Sequence, residues 1–184
     1  GKFNPDGTVT RAEFLKMAMD SFGIVGHAYR DGECLDATND DWYCYYLQGA
    51  LDKNIIPKEM IENCNVTKVT KTLAEATDDK EAVTTDVNVY TGKFDGDKPI
   101  TREEMAAIAV RCKNYKMRRL TDWDNERRYP IFSFKDSDEI DEKYISDVVK
   151  AYNLNYIDGM EDGRFAPKEN LTRAQAAVVM NNLK

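Results

Sequence analysis

Residues 1–14, GKFNPDGTVTRAEF, decide how this chain is read. Asn4 and Asp6 alternate ahead of Glu13, as in a calcium loop, yet the same residues also suit a turn entering a helix. An EF-hand loop needs oxygen ligands at positions 1, 3, 5 and 12 and glycine at position 6. Counted from Asn4, the sixth position is Val9 and Glu13 falls at the tenth. The turn reading is the one that recurs along the chain.

GKFDGDKPITREEMAAIAVRCK begins at Gly92, and GRFAPKENLTRAQAAVVMNNLK begins at Gly163. Each copy has Gly, a basic residue, Phe, six variable residues, Thr-Arg and an apolar helical pattern. Phe and Thr keep one spacing throughout: Phe3 to Thr10, Phe94 to Thr101, Phe165 to Thr172. Recurrence of this kind marks a repeat architecture. Thr10 with Glu13, Thr101 with Glu104 and Thr172 with Gln175 fit the capping box, which accounts for the threonines and the acids or amide. It leaves Arg11, Arg102 and Arg173 unexplained, because a cation at the first helical position faces the positive end of the helix dipole. Either each pairs with a carboxylate of a neighbouring repeat, or each is held for an anionic ligand.

A second half-repeat lies between these helices. It starts with Tyr29-Arg30-Asp31 in one copy and Phe134-Lys135-Asp136 in the other. The spacing aligns Trp42 with Tyr144 just inside a helix, Leu47 with Val149, and Ile55 with Ile157. Each unit therefore reads as helix, loop, turn and capped helix.

Together the half-motifs resemble the S-layer homology repeat, with its aromatic-x-Asp start, Trp near the first helix, glycine-rich turn before F-x-P, and TRAE helix. The marks here are Phe3-x-Pro5 with TRAE at Thr10–Glu13, TREE at Thr101–Glu104, and Phe165-x-Pro167 with TRAQ at Thr172–Gln175. The resemblance implies a mainly α fold, a pseudo-threefold helical bundle. It implies a surface protein held noncovalently to the bacterial cell wall, outside the cell, through a secondary cell-wall polysaccharide bearing a pyruvyl ketal, or through peptidoglycan. Ligand would enter grooves between repeats, with Arg11, Arg102 and Arg173 as carboxylate clamps, Trp42 and Tyr144 as sugar platforms, Asp31 and Asp136 as hydroxyl acceptors, and Gly92 and Gly163 as turn glycines. The groove using Trp42 and Asp31 is expected to be the best preserved. A competing reading makes the chain a protein–protein scaffold whose arginines form inter-repeat salt bridges.

By this reading residues 1–28 are the second half of repeat 1, 29–113 repeat 2, 114–133 a charged linker and 134–184 repeat 3. The first half of repeat 1 is expected to lie outside this chain or to come from another, which would allow a homo-oligomer. Residues 62–91, rich in Thr and Val, form an insertion whose VTKVT and VTTDVNVY runs predict a small β-hairpin across ATDDKEA. The linker's Arg118-Arg119 and Arg127-Arg128 read as solvated charge.

Composition sets the outer limits. The 184 residues are 42% hydrophobic and 32% charged, which suits a globular chain, and the net charge of −7 argues against nucleic acid. No apolar run is long enough for a membrane span. His27, the only histidine, has no serine or cysteine motif beside it, and no carboxylate pair stands out, so neither an enzyme nor a cofactor is expected. No cysteine spacing forms CxxC; Cys112 falls on an apolar helix face as a buried thiol, and Cys34 could pair with Cys64 in an oxidising setting.

Overall fold

The computed structural model describes residues 3–26, 33–38, 40–74, 81–117 and 134–183. Asp31 and His27, together with the arginine pairs of the linker, lie outside these residues. Five described helices carry the core: α1 (Arg11–Ser21), α2 (Cys44–Asp52), α3 (Arg102–Met117), α4 (Glu142–Asn153) and α5 (Arg173–Asn182). Strands β1 (Glu33–Cys34) and β2 (Ala37–Thr38) make a short hairpin, while β3 (Glu62–Ala74) and β4 (Val83–Lys93) make a long one. The expectation of a mainly α fold is therefore met only in part, and the molecule is mixed. The reason is local: residues 62–93 are dense in Thr and Val, which favour a pleated, half-exposed surface. Val66 pairs with Tyr90 and Thr70 with Asp86, in one antiparallel register.

Helices α1, α3 and α5 begin as the capping boxes predict. Thr10, Thr101 and Thr172 each accept from the backbone N–H three residues on, and Glu13, Glu104 and Gln175 each accept from the threonine N–H. The turn before each helix also repeats. Asn4, Asp95 and Ala166, each just after the recurring Phe of its copy, take φ of 48°, 57° and 58°. Their carbonyls accept from Gly7, Lys98 and Glu169.

These turns close the molecule into a ring. The Val9 N–H donates to Leu171 O at 3.0 Å, Leu171 N–H to Ile100 O at 2.9 Å, and Ile100 N–H back to Val9 O at 3.0 Å. All three residues are buried. Around that ring each helix start docks on the next repeat's turn. Arg11, Arg102 and Arg173 donate their backbone N–H to Lys98, Glu169 and Gly7; the residues after them donate to Gly96, Pro167 and Pro5. The N–H groups that a helix leaves unpaired at its start are thus satisfied by a neighbour. Phe14, Leu15, Phe94, Met105, Ile108 and Phe165 fill the space among these helices.

The α2 and α4 units correspond, but one residue away from the alignment that the sequence suggests. Asn54 and Asn155 both take the left-handed conformation, and the N–H after each reaches back to Ala50 O or Ala151 O. This pairs Tyr43 with Tyr144, Leu47 with Val148 and Ile56 with Ile157, all buried. Trp42 then matches exposed Lys143 and lies before α2, not inside it. Helix α3 runs on to Met117, past the start assigned to the linker. Cys44 and Cys112 are buried free thiols, and Cys64 is half-buried and also free; the Cys34 side chain lies outside the described residues. Burial pushes the Cys112 thiol pKa well up, which makes it inert.

Candidate inter-repeat grooves

The three arginines share one placement. Each lies at the first position of its helix and donates to the carbonyl of the next repeat's turn Phe: Arg11 Nη1 to Phe94 O at 2.6 Å, Arg102 Nε to Phe165 O at 2.7 Å, and Arg173 Nε to Phe3 O at 3.0 Å. Each guanidinium also sits near the ring of that Phe, at 5.9, 5.1 and 5.6 Å from the centroid. The unfavourable helix dipole is offset by these carbonyl and ring contacts.

Their remaining surroundings differ. Arg11 is buried and bonds Glu104 through both Nε, at 3.2 Å, and Nη2. Arg102 is buried as well, but its other bond goes to a backbone carbonyl, Asp158 O at 2.9 Å. Burial lowers its pKa, with Glu169, Asp136 and Asp158 opposing that fall. Arg173 is half-buried at the wall of an open groove.

That groove lies between α1 and α5 and holds about 220 Å³. Arg173 and Lys16 bring positive charge to it, Glu13 brings a carboxylate, and Phe3, Met17 and Trp42 bring apolar surface. Trp42 is 52% exposed and Phe3 55% exposed, so both offer ring surface to solvent. Lys16 also pairs with Asp20 on the same helix. The structure therefore unites Trp42 with Arg173, the arginine of repeat 3. A second groove of about 180 Å³ runs between α3 and α5, with Arg102 at its end beside Tyr156, Asp158, Gly159, Gln175 and Asn182.

Of the other expected site residues, Tyr144 and Asp136 sit inside the fold. Tyr144 is 2% exposed, and burial first, then Glu104, drives its phenol pKa strongly upward, so its ring offers no face for stacking. Its counterpart Tyr43 is buried too, its pKa pushed up to about 12 by burial and by Asp41. Asp136 is buried and accepts from Phe165 N–H at 2.7 Å and Ala166 N–H at 2.8 Å. Asp36 does the same for Phe94 and Asp95, at 2.7 and 2.8 Å. Asp36, rather than Asp31, is thus the structural partner of Asp136. Asp36 follows Cys34-Leu35 rather than an aromatic and a basic residue, so the aromatic-x-Asp pattern did not mark it. Gly92 and Gly163 take φ of 134° and 86°, and a Cβ on Gly92 would lie 2.7 Å from Glu62 O. Sequence reasoning missed Phe3, Lys16 and Gln175 as groove residues, since nothing local reveals which helices face each other.

The S-layer homology domain family model matches residues 1–15 and 133–177. The chain is 31% identical over 182 residues to an amylopullulanase of Thermoanaerobacterium thermosulfurigenes and 32% identical over 185 residues to exoglucanase XynX of Acetivibrio thermocellus. It is 31% identical over 181 residues to an endoglucanase of Bacillus sp. (strain KSM-635). These matches take in 98–99% of this chain but only 8–15% of those proteins. With the thrice-repeated turn and Thr-Arg helix, they show that this chain carries S-layer homology sequence, matched by the family model at two regions.

Proposed function

We propose that this chain holds a surface protein to the bacterial cell wall by binding a secondary cell-wall polysaccharide, pyruvylated on its sugars, in the grooves between repeats. S-layer homology domains generally anchor surface proteins to the wall, and the chain belongs at the bacterial cell surface. Among the described residues no helix is long and apolar enough to cross a membrane. The role proposed is binding without catalysis; the enzymatic names of the relatives describe proteins of which this chain matches a small part.

One observation carries the reading: the α1–α5 groove sets Arg173 and Lys16 beside the exposed rings of Trp42 and Phe3. Guanidinium binds a carboxylate through paired hydrogen bonds, and an aromatic face suits the C–H face of a sugar. The molecule's net charge of −7 does not oppose this, because cations lining a cleft act at close range while distant charge is screened. The scaffold reading has its own support at a different interface, where Arg11 is taken up by Glu104.

Co-sedimentation with purified Gram-positive cell walls tests the proposal, before and after hydrofluoric acid removes the secondary polymer. Binding should be lost on stripping. Trp42→Ala and Arg173→Ala should each weaken it about tenfold or more, the cost of one good contact, with melting temperature nearly unchanged for Trp42→Ala. Binding that survives stripping would point to peptidoglycan. Variants that melt earlier yet bind normally would favour the scaffold.

A further inference from the structure

The ribbon of β3 and β4 leaves both of its outer edges open. The two strands form a sheet of their own, and among the described residues none of 83–91 makes a backbone hydrogen bond outside that ribbon. An open edge presents a row of N–H and C=O groups ready to pair with another strand, and proteins usually blunt it with charge. The two edges here differ in that protection. Strand β3 carries Lys68 and Lys71 along its length, whereas residues 83–91 of β4, VTTDVNVYT, carry Asp86 as their one charge. Val83, Thr84, Asp86 and Thr91 are exposed. The β1–β2 hairpin approaches the ribbon at its base, where Asp36 accepts from Phe94 N–H at 2.7 Å.

The β4 edge is also self-complementary. With a two-fold axis through Val87, Asp86 of one copy faces Asn88 of the other, Thr85 faces Val89, Thr84 faces Tyr90 and Val83 faces Thr91. Asp86 already accepts from Thr70 Oγ1 at 2.8 Å, and a carboxylate has lone pairs for a further donor such as an amide. An axis one residue earlier would set two Asp86 carboxylates opposite one another, which is unfavourable. The β3 edge offers no comparable solution, since a two-fold axis along it gathers Lys68 and Lys71 of both copies into one seam. The length of β4 fits as well. The ribbon meets the core at buried Phe94, just past Lys93. Lys93 lies about 20 Å along the strand from Val87, and Val83 facing Thr91 stops short of it.

We propose that β4 of one copy pairs antiparallel with β4 of a second, making a four-stranded ribbon, β3–β4–β4–β3, with a helical bundle at each end. Pairing over residues 83–91 adds about eight to ten backbone hydrogen bonds. The contact lies at the small end of specific interfaces, so the dissociation constant is on the order of 10 μM. The pairing does not depend on what the grooves bind. If they bind cell wall, two joined anchors hold it by avidity, with no new contact to it.

Sedimentation velocity of the full chain tests this, from about 1 μM to about 1 mM, a range that brackets the expected constant. The chain should pass from monomer to dimer as its concentration rises. Asn88→Asp is the discriminating variant. Within the ribbon, residue 88 pairs with Lys68, so a carboxylate there suits the hairpin and the melting temperature should be nearly unchanged. Across the axis it faces Asp86 twice, so dimerisation should weaken about fivefold or more. Replacing residues 67–89 by Asn-Gly, which joins the directly paired Val66 and Tyr90, removes the edge and should leave a monomer throughout. A wild type that stays monomeric over the whole range would overturn the proposal and leave the edge to a strand from another protein. A dimer that survives the shortened ribbon would overturn it by placing the contact elsewhere. Undiminished dimerisation of Asn88→Asp would do so by removing the pairing with Asp86.

Discussion

Arg11, Arg102 and Arg173 show how one residue type at one position acquires three different environments. All three tie their helix to the next turn's Phe carbonyl, so part of their role is structural in every repeat. What remains of each guanidinium is set by a residue in a different repeat. Arg11 spends it on Glu104, a buried ion pair in which removal of one partner strands the other. Glu104→Ala should therefore lower stability by about 3–5 kcal/mol, measured by urea denaturation, with cell-wall binding retained at temperatures where the variant is folded. A loss below about 1 kcal/mol, the range of exposed pairs, would show that Arg11 finds other partners. The Thr-x-x-Glu/Gln caps were legible in the sequence because all their atoms lie within four residues. The partners of the arginines were not, since Arg11 and Glu104 are 93 residues apart.

At the scale of elements, the hairpin of β3 and β4 was readable from its Thr and Val runs on either side of a polar turn. Its strands are largely exposed, with Val69 40% and Val83 53% exposed, and contact with the core is confined to its base, where Tyr90 packs. Little core surface depends on the distal part. Val66 and Tyr90 are direct partners, so Asn-Gly can replace residues 67–89 between them as a two-residue turn. The shortened chain should unfold in one transition within a few degrees of the parent, followed by circular dichroism. A collapse in melting temperature would mean that the ribbon's outer half supports the bundle. The α2 and α4 units were harder to read. Aromatic residues occupy both Trp42 and Tyr43, and only the tertiary packing shows that Tyr43 enters the core while Trp42 faces solvent. The aromatic-x-Asp pattern at Tyr29-Arg30-Asp31 likewise concealed Asp36, which follows Cys34-Leu35.

The whole molecule is closed by the three backbone bonds among Val9, Ile100 and Leu171, which join residues far apart in the chain. Opening any one of them exposes the other two and undocks a helix start, so the repeats are expected to behave as one cooperative unit. Native-state hydrogen exchange should give the amides of Val9, Ile100 and Leu171 a common opening free energy. Clearly separate values, with one repeat opening first, would mean that the ring is not what couples them.

The three capped helix starts, the turn ahead of each, the inserted hairpin and the family resemblance were legible in the chain alone, because each of these rests on contacts or patterns within a short span. Packing of the repeats alone sets which arginine meets Glu104, which lines a groove with Gln175 and which lines one with Trp42. That assignment depends on the order in which the repeats close around the ring. The chemistry of a groove comes from two repeats at once, so identical local motifs yield one internal ion pair and two open clefts.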